Sequence, residues 1–152
     1  LSYDDMSKLE ISEMASKEAL RLIPPVPSMP RRALKTFDFG GFSIPARTPV
    51  GINIHYTHHD ELLWPDPYSF DPMRFTADKI KERHKYAWVP FGGGAHMCLG
   101  LHFAYMQVKI LLTHVLQRYE ICVESGYEPS WQPWPIPQPR DGLQVTFKPI
   151  YN

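Results

Sequence analysis

Phe91-Gly92-Gly93-Gly94-Ala95-His96-Met97-Cys98-Leu99-Gly100 is the stretch whose reading decides the fold. Three consecutive glycines make a backbone with no Cβ to obstruct it, so it can bend sharply and lie against a flat ligand. Cys98 follows, and after it an apolar run from Leu99 to Leu116 contains no proline and no glycine beyond Gly100. That run reads as a helix over Leu99–Gln117. Its apolar positions (Phe103, Ala104, Met106, Val108, Ile110, Leu111, Leu112, Val115) go nearly all round, so the helix is expected to be internal. A thiolate at the mouth of a helix sits at the positive end of the helix dipole. Glycine bend, cysteine and helix start together describe a loop that offers a thiolate to haem iron.

Outward from this loop, composition sets the bounds. The chain has 152 residues, 43% of them apolar and 21% charged, as in soluble globular proteins. Its 16 basic and 16 acidic residues cancel, and no basic stripe supports nucleic-acid binding. No apolar run reaches the roughly 20 residues that span a bilayer, and the N-terminus lacks a signal-peptide pattern. Cys98 and Cys122 are too few for a disulfide framework, which points to a reducing compartment or a metal role. The 16 prolines are about twice the usual share of roughly 5%. They cluster at 24–30, 65–72 and 129–139, so long irregular segments need holding by something other than helix or sheet ladders. The chain starts at Leu1, part-way into an amphipathic pattern, and reads as cut from something larger.

Upstream, Ser7–Leu22 is predicted as a helix, with Ser7 and Glu10 at capping-box spacing and Pro24-Pro25 as the stop. Ile11, Met14, Ala15 and Leu22 share one face with Glu18. A carboxylate on a core-facing stripe needs a cation, which Arg21 can supply, and a second guanidinium would satisfy it better. The competing reading is an ordinary surface pair at i,i+3. Residues 24–30 read as a stiff extended connector ending in Arg31-Arg32. Strands are predicted at Thr36–Phe39, Gly41–Ile44 and Pro49–His55. His55, His58 and His59 lack the second cluster that a zinc site would need, and zinc is not favoured. Trp64–Phe75 reads as an ordered coil with its rings packed inward. Thr76–Lys85 reads as a short surface helix, Tyr119–Glu124 and Leu143–Phe147 as strands, and Ser130–Pro139 as a turn.

Taken in order, Glu18-x-x-Arg21, then Phe70-Asp71-Pro72-Met73-Arg74-Phe75, then Phe91-x-x-Gly94-x-His96-x-Cys98-x-Gly100, form a highly specific set. The chain resembles the cytochrome P450 superfamily of haem-thiolate monooxygenases over essentially all of its length, as the C-terminal third of such an enzyme. The resemblance implies a mainly α fold with small β-sheets (α+β), a buried helix after the cysteine loop, a long proline-rich coil, and one partial domain over 1–152. It implies that Cys98 is the axial ligand of iron in haem b, where a thiolate pushes electron density onto the metal and favours O–O cleavage. Against that stands the general habit of a free cysteine to be a small buried hydrophobe. Cys122 takes that second reading.

The resemblance further implies a cofactor set of Phe91, Gly92, Gly94, His96, Cys98, Gly100, Ala104 and Arg31. Phe91 shields the sulfur, while His96 and Arg31 hydrogen-bond the haem propionates. His59 is a weaker propionate candidate. Glu18, Arg21 and Arg74 would form a buried network with a structural role. Val26, Met29, Trp131 and Trp134 would line a pocket for an apolar substrate, although core packing explains each of them about as well. The implied partners are O2, an electron donor (ferredoxin or an NADPH reductase) and the N-terminal part of the enzyme, which carries the oxygen-activating helix. A bacterial member would be cytoplasmic, and any membrane anchor would sit at the N-terminus. The competing class is a haem-binding module that holds the cofactor without turnover.

Overall fold

The computed structural model describes residues 4–151. Leu1, where the reading of a cut chain begins, lies outside them. A 3-10 turn at Asp4–Lys8 leads into α1 (Glu10–Leu22), followed by β1 (Ser28–Arg32), β2 (Phe37–Phe39), β3 (Phe42–Ile44), β4 (Pro49–Asn53), α2 (Ile54–His58) and α3 (Ala77–Glu82). Beyond the glycine loop come α4 (Leu101–Leu116), β5 (Tyr119–Cys122), β6 (Trp131–Gln132), β7 (Gln138–Pro139) and β8 (Thr146–Pro149). The strands form four separate antiparallel pairs, β1–β4, β2–β3, β5–β8 and β6–β7. Helices with small sheets are the α+β architecture expected from the sequence. Among the described residues no helix is long and apolar enough to cross a membrane.

Several local expectations are corrected. Ser7 is not the cap of α1. Its hydroxyl donates to the Asp4 carbonyl (2.9 Å) inside the 3-10 turn, and the residue before α1, Leu9, makes no side-chain cap bond. Ile11, placed on the core face by its spacing, is 67% exposed. The connector is partly a strand, because β1 pairs with β4 from Ser28 opposite Asn53 to Arg32 opposite Pro49. The strand expected to run to His55 stops at Asn53, whose side chain accepts the Tyr56 N–H (2.9 Å) and caps α2. The last strand starts three residues later and ends two residues later than expected, at Thr146–Pro149. Helix α4 is not internal within this chain: Phe103 is 58% and Leu111 63% exposed, and its buried residue is Lys109. An all-round apolar helix reads as buried, but these residues cover one side of it.

The core lies under the proline-rich coil. Trp64, Phe75 and Ala87 are buried together, with Met14, Leu63 and Trp88 packed on them. The Trp64 and Phe75 rings stand 5.8 Å apart, and those of Phe75 and Trp88 5.3 Å apart near edge-to-face. Arg83 lies 3.8 Å over the Trp64 ring. Rings at the two ends of the coil do turn inward as predicted, whereas Tyr68 and Phe70 between them are exposed. A 3-10 turn at Pro72–Phe75 closes the coil, capped by the Asp71 side chain, which accepts the Met73 N–H. Trp64→Ala is expected to destabilise the protein by about 3–5 kcal/mol, read from urea unfolding, because the cavity lies where three aromatic rings meet.

Candidate functional site

The first part of the site is a charge network beneath the coil. Glu18 and Arg21, one helical turn apart on α1, are both 0% exposed. Arg21 Nε donates to Glu18 Oε2 (2.7 Å) and Nη2 to Oε1 (2.8 Å), a bidentate pair. The remaining Arg21 donors reach main-chain carbonyls: Nη1 to His58 (2.9 Å) and Pro67 (2.6 Å), Nη2 to Ser69 (3.2 Å). All five guanidinium N–H groups therefore have an acceptor. The second guanidinium that Glu18 called for is Arg74, with Nε 3.4 Å from Oε1. Arg74 also donates to the carbonyls of Pro65 (2.6 Å) and Asp66 (2.8 Å), and Glu18 Oε1 accepts the Asp71 N–H (3.0 Å). Burial, not a surface pair, is what the structure shows for Glu18–Arg21.

The second part is the glycine–cysteine loop. Gly92 and Gly94 adopt positive φ, +75° and +67°, which suits glycine. A Cβ on Gly92 would stand 3.4 Å from Met29 Sδ, while one on Gly94 would meet nothing within 4 Å. Gly92 thus permits close packing and Gly94 leaves open room. The Gly92 N–H donates to the Val89 carbonyl (3.0 Å), Met97 N–H to Gly94 (3.2 Å), and Cys98 N–H to Phe91 (2.9 Å). Phe91 is half-buried with its ring 5.6 Å from that of Tyr105 on α4, so an edge-to-face ring contact ties the loop to the helix. Cys98 is free and exposed just ahead of α4, with Met97 and Leu99 exposed beside it, so it is not a small buried hydrophobe. Cys122 is half-buried on β5.

Around this loop the sequence candidates fall unevenly. Met29 packs against Gly92, and Arg31 Nη2 lies 3.9 Å from Met29 Sδ, so β1 brings both to the flank of the loop. Arg31, His96 and Gly100 are exposed, and Ala104 is half-buried on α4. Val26 and Trp134 are exposed. Trp131 lines a cavity of about 570 Å³ with Leu22, Pro24, Ser28, Asn53 and His55, away from the glycine loop's own residues. His59 is half-buried, its ring 4.2 Å from His55 and 5.1 Å from Tyr68.

One residue of consequence was set aside at the sequence level. His58 entered only as part of a histidine cluster, yet it is 0% exposed, and its Nε2 accepts the Val89 N–H (3.0 Å). Its Nδ1 is buried and makes no hydrogen bond of good geometry among the described residues, the Arg21 backbone being the group it interacts with. Burial first, helped by the charges of nearby His59, Arg21 and His55, outweighs the backbone hydrogen bond with Arg21 and holds its imidazole down to about 4 from the ordinary 6.5. Three histidines within five residues mark a helix turn, but which of them faces inward depends on where the Asn53 cap starts α2.

A soft sulfur donor, exposed on a loop of φ-positive glycines with open room beside it, fits a flat iron macrocycle. The comparisons agree with that geometry. The cytochrome P450 family model matches residues 1–147. Rat (Rattus norvegicus) cytochrome P450 4B1 is 34% identical over 97% of this chain and 29% of its own length. Cytochrome P450 734A5 of rice (Oryza sativa subsp. japonica) is 39% identical over 97% of this chain and 28% of its own. Among solved structures, retinoic acid-bound cyanobacterial CYP120A1 superposes with a TM-score of 0.91 and 35% identity, covering 99% of this chain and 35% of that one. The chain therefore spans under a third of the length of these two sequence relatives.

Two outcomes follow from this geometry. Glu18→Gln leaves two guanidinium groups without their counter-ion and is expected to cost about 3–5 kcal/mol in urea unfolding. The unfolded chain protonates His58 near 6.5 and the folded one near 4, so its contribution is full above pH 6.5 and is lost as pH falls toward 4. That loss amounts to about 3 kcal/mol, and His58→Gln should flatten this part of a stability–pH curve. The match over nearly the whole chain, on a fold that pairs the Glu18–Arg21–Arg74 network with an exposed cysteine on a glycine loop, makes this chain a member of the cytochrome P450 family.

Proposed function

We propose that residues 1–152 are the C-terminal haem-binding part of a cytochrome P450 monooxygenase, with Cys98 as the axial iron ligand. The observation that carries this reading is the exposed Cys98 thiol at the head of α4, on a loop whose backbone bonds fix its position. When bound, haem b supplies the reductive activation of O2 that puts one oxygen atom into an organic substrate. The chain's own residues hold and tune that group. Cys98 provides the thiolate, and the positive end of α4 supports its charge. Phe91 carries the carbonyl that fixes the Cys98 amide and a ring that excludes water from the loop. Gly94 would leave open room for the macrocycle, Gly92 lets Met29 pack close, Gly100 keeps a side chain away from the Cys98 sulfur, and Ala104 keeps the next turn of α4 small. His96 and Arg31, both exposed near the loop, pair with the propionates.

The substrate side is thinner. Met29 packs beside Gly92, and with Val26, Trp131 and Trp134 it would add apolar surface to a substrate pocket. The cyanobacterial neighbour binds retinoic acid. An apolar molecule of that class suits this lining. Electrons come from a ferredoxin or an NADPH-dependent reductase. The remaining N-terminal part of the enzyme covers the exposed side of α4 and supplies the oxygen-activating helix. Relatives more than three times as long as this chain support that division. The same observation favours the second reading, a haem-holding module without turnover when this segment stands alone.

The ferrous–carbon monoxide difference spectrum of the haem-reconstituted protein tests ligation. A thiolate-type Soret band is expected, and its loss in Cys98→Ala with retention in Cys122→Ala assigns the ligand. A folded chain that takes up no haem overturns the reading. Substrate-dependent O2 consumption with an added redox partner separates the enzyme from the module.

A further inference from the structure

We propose that His58 is a positioning residue for the Cys98 loop, clamping the segment that enters the loop to the buried Glu18–Arg21 pair. The proposal rests on the haem-thiolate reading of Cys98 and deepens it, since nothing in that reading requires a histidine on α2. On one side, the His58 carbonyl accepts from Arg21 Nη1 at 2.9 Å. On the other, its ring Nε2 accepts from the Val89 N–H at 3.0 Å. The Val89 carbonyl then accepts the Gly92 N–H (3.0 Å), and the Phe91 carbonyl accepts the Cys98 N–H (2.9 Å). Glu18, Arg21, His58 and Val89 thus lead by successive hydrogen bonds into the turn that carries the cysteine.

Position in the chain gives the Val89 amide its importance. Pro90 follows it and has no N–H, so Val89 is the last backbone donor before Phe91 and the glycines. A phenylalanine at position 58 would fill the space of the imidazole but leave this half-buried donor without an acceptor. An acceptor at Nε2 requires the neutral ring with its proton on Nδ1. The surroundings enforce neutrality. Arg21 faces His58 from α1, with its counter-ion Glu18 already committed to Arg21 and Arg74, and His55 and His59 flank it along the chain. The Trp64 ring stands edge-on at 6.5 Å and closes the remaining side. A buried, neutral, acceptor-only ring nitrogen aimed at one backbone amide fixes the point where the ligand loop leaves the core.

Two readouts test this, one of them independent of haem. Amide hydrogen exchange of Val89, followed by NMR, is expected to quicken at least tenfold in His58→Phe and to return toward wild type in His58→Gln, whose carbonyl can accept. In the ferrous–carbon monoxide spectrum, the thiolate share should fall several-fold in His58→Phe and recover in His58→Gln. Ile54→Ala, a cavity on the same helix, should change neither beyond its effect on stability. Unaltered Val89 protection and thiolate share in folded His58→Phe, or an equal loss in Ile54→Ala at matched stability, overturns the proposal. Should His58→Phe fail to fold, acid titration of the wild type carries the test, and a Val89 amide still protected after His58 has protonated overturns it. A wild type with a protected Val89 amide but no thiolate band overturns the haem reading, and with it the purpose assigned to the clamp.

Discussion

The Glu18 carboxylate, removed from water between two guanidinium groups, is the constraint on which the rest of the structure depends. Burying an ion is costly unless every lone pair and proton finds a partner. Here distant segments are drawn inward until every Arg21 donor has an acceptor, while Arg74 Nε reaches Glu18 only as an ion pair at 3.4 Å. Arg21 needs carbonyls from α2 and from the coil after it, Arg74 needs the carbonyls of the two residues that follow Trp64, and Glu18 takes the amide of Asp71. A chain that satisfied these groups in any other way would have to re-route residues 58–74. The ion network acts as a geometric condition on the coil more than as a source of net stability.

That condition explains how a segment with so many prolines can be ordered. Between α2 and the 3-10 turn at Pro72–Phe75 there is no helix and no strand pairing. Order comes from two ends: aromatic rings packed with Met14 and Trp88 on one side, and arginine donors on the other. The glycine loop is then attached to this body by a ring–ring contact to α4 and by the Val89 amide. Packed core, hydrogen-bonded entry and the open space at Gly94 form a graded sequence, with the most room at the far end of the loop.

Much of this was legible from residues alone, for reasons that can be named. Glu18 among apolar neighbours demanded counter-charges, and Arg21 and Arg74 are the ones it has. The glycine run and Cys98 were legible because local backbone chemistry needs no tertiary information. Other features were not. The strand at Ser28–Arg32 exists because β4 pairs with it, and a Pro-Pro-x-Pro run carries no sign of its partner. The Ser7 cap failed because Asp4–Lys8 turns into a 3-10 helix, where the Ser7 hydroxyl donates to the Asp4 carbonyl and accepts no N–H from α1. His58 was indistinguishable from His55 and His59, since the cap at Asn53 sets the phase of α2 and thereby which ring is buried. The exposure of α4 is a matter of what stands beside it, which spacing along one helix cannot report.

The arginine contacts to the coil also share a chemical character. Pro65, Asp66, Pro67 and Ser69 are all met through their carbonyl oxygens, as is His58. Proline keeps its carbonyl while lacking an N–H, so a proline-rich segment is short of donors and rich in acceptors, the complement of a guanidinium that can only donate. The coil is therefore addressed by its path and not by its side chains. Exposed positions such as Tyr68 are therefore free of the arginine contacts, and a change of side chain there leaves the imprint on the two arginines the same.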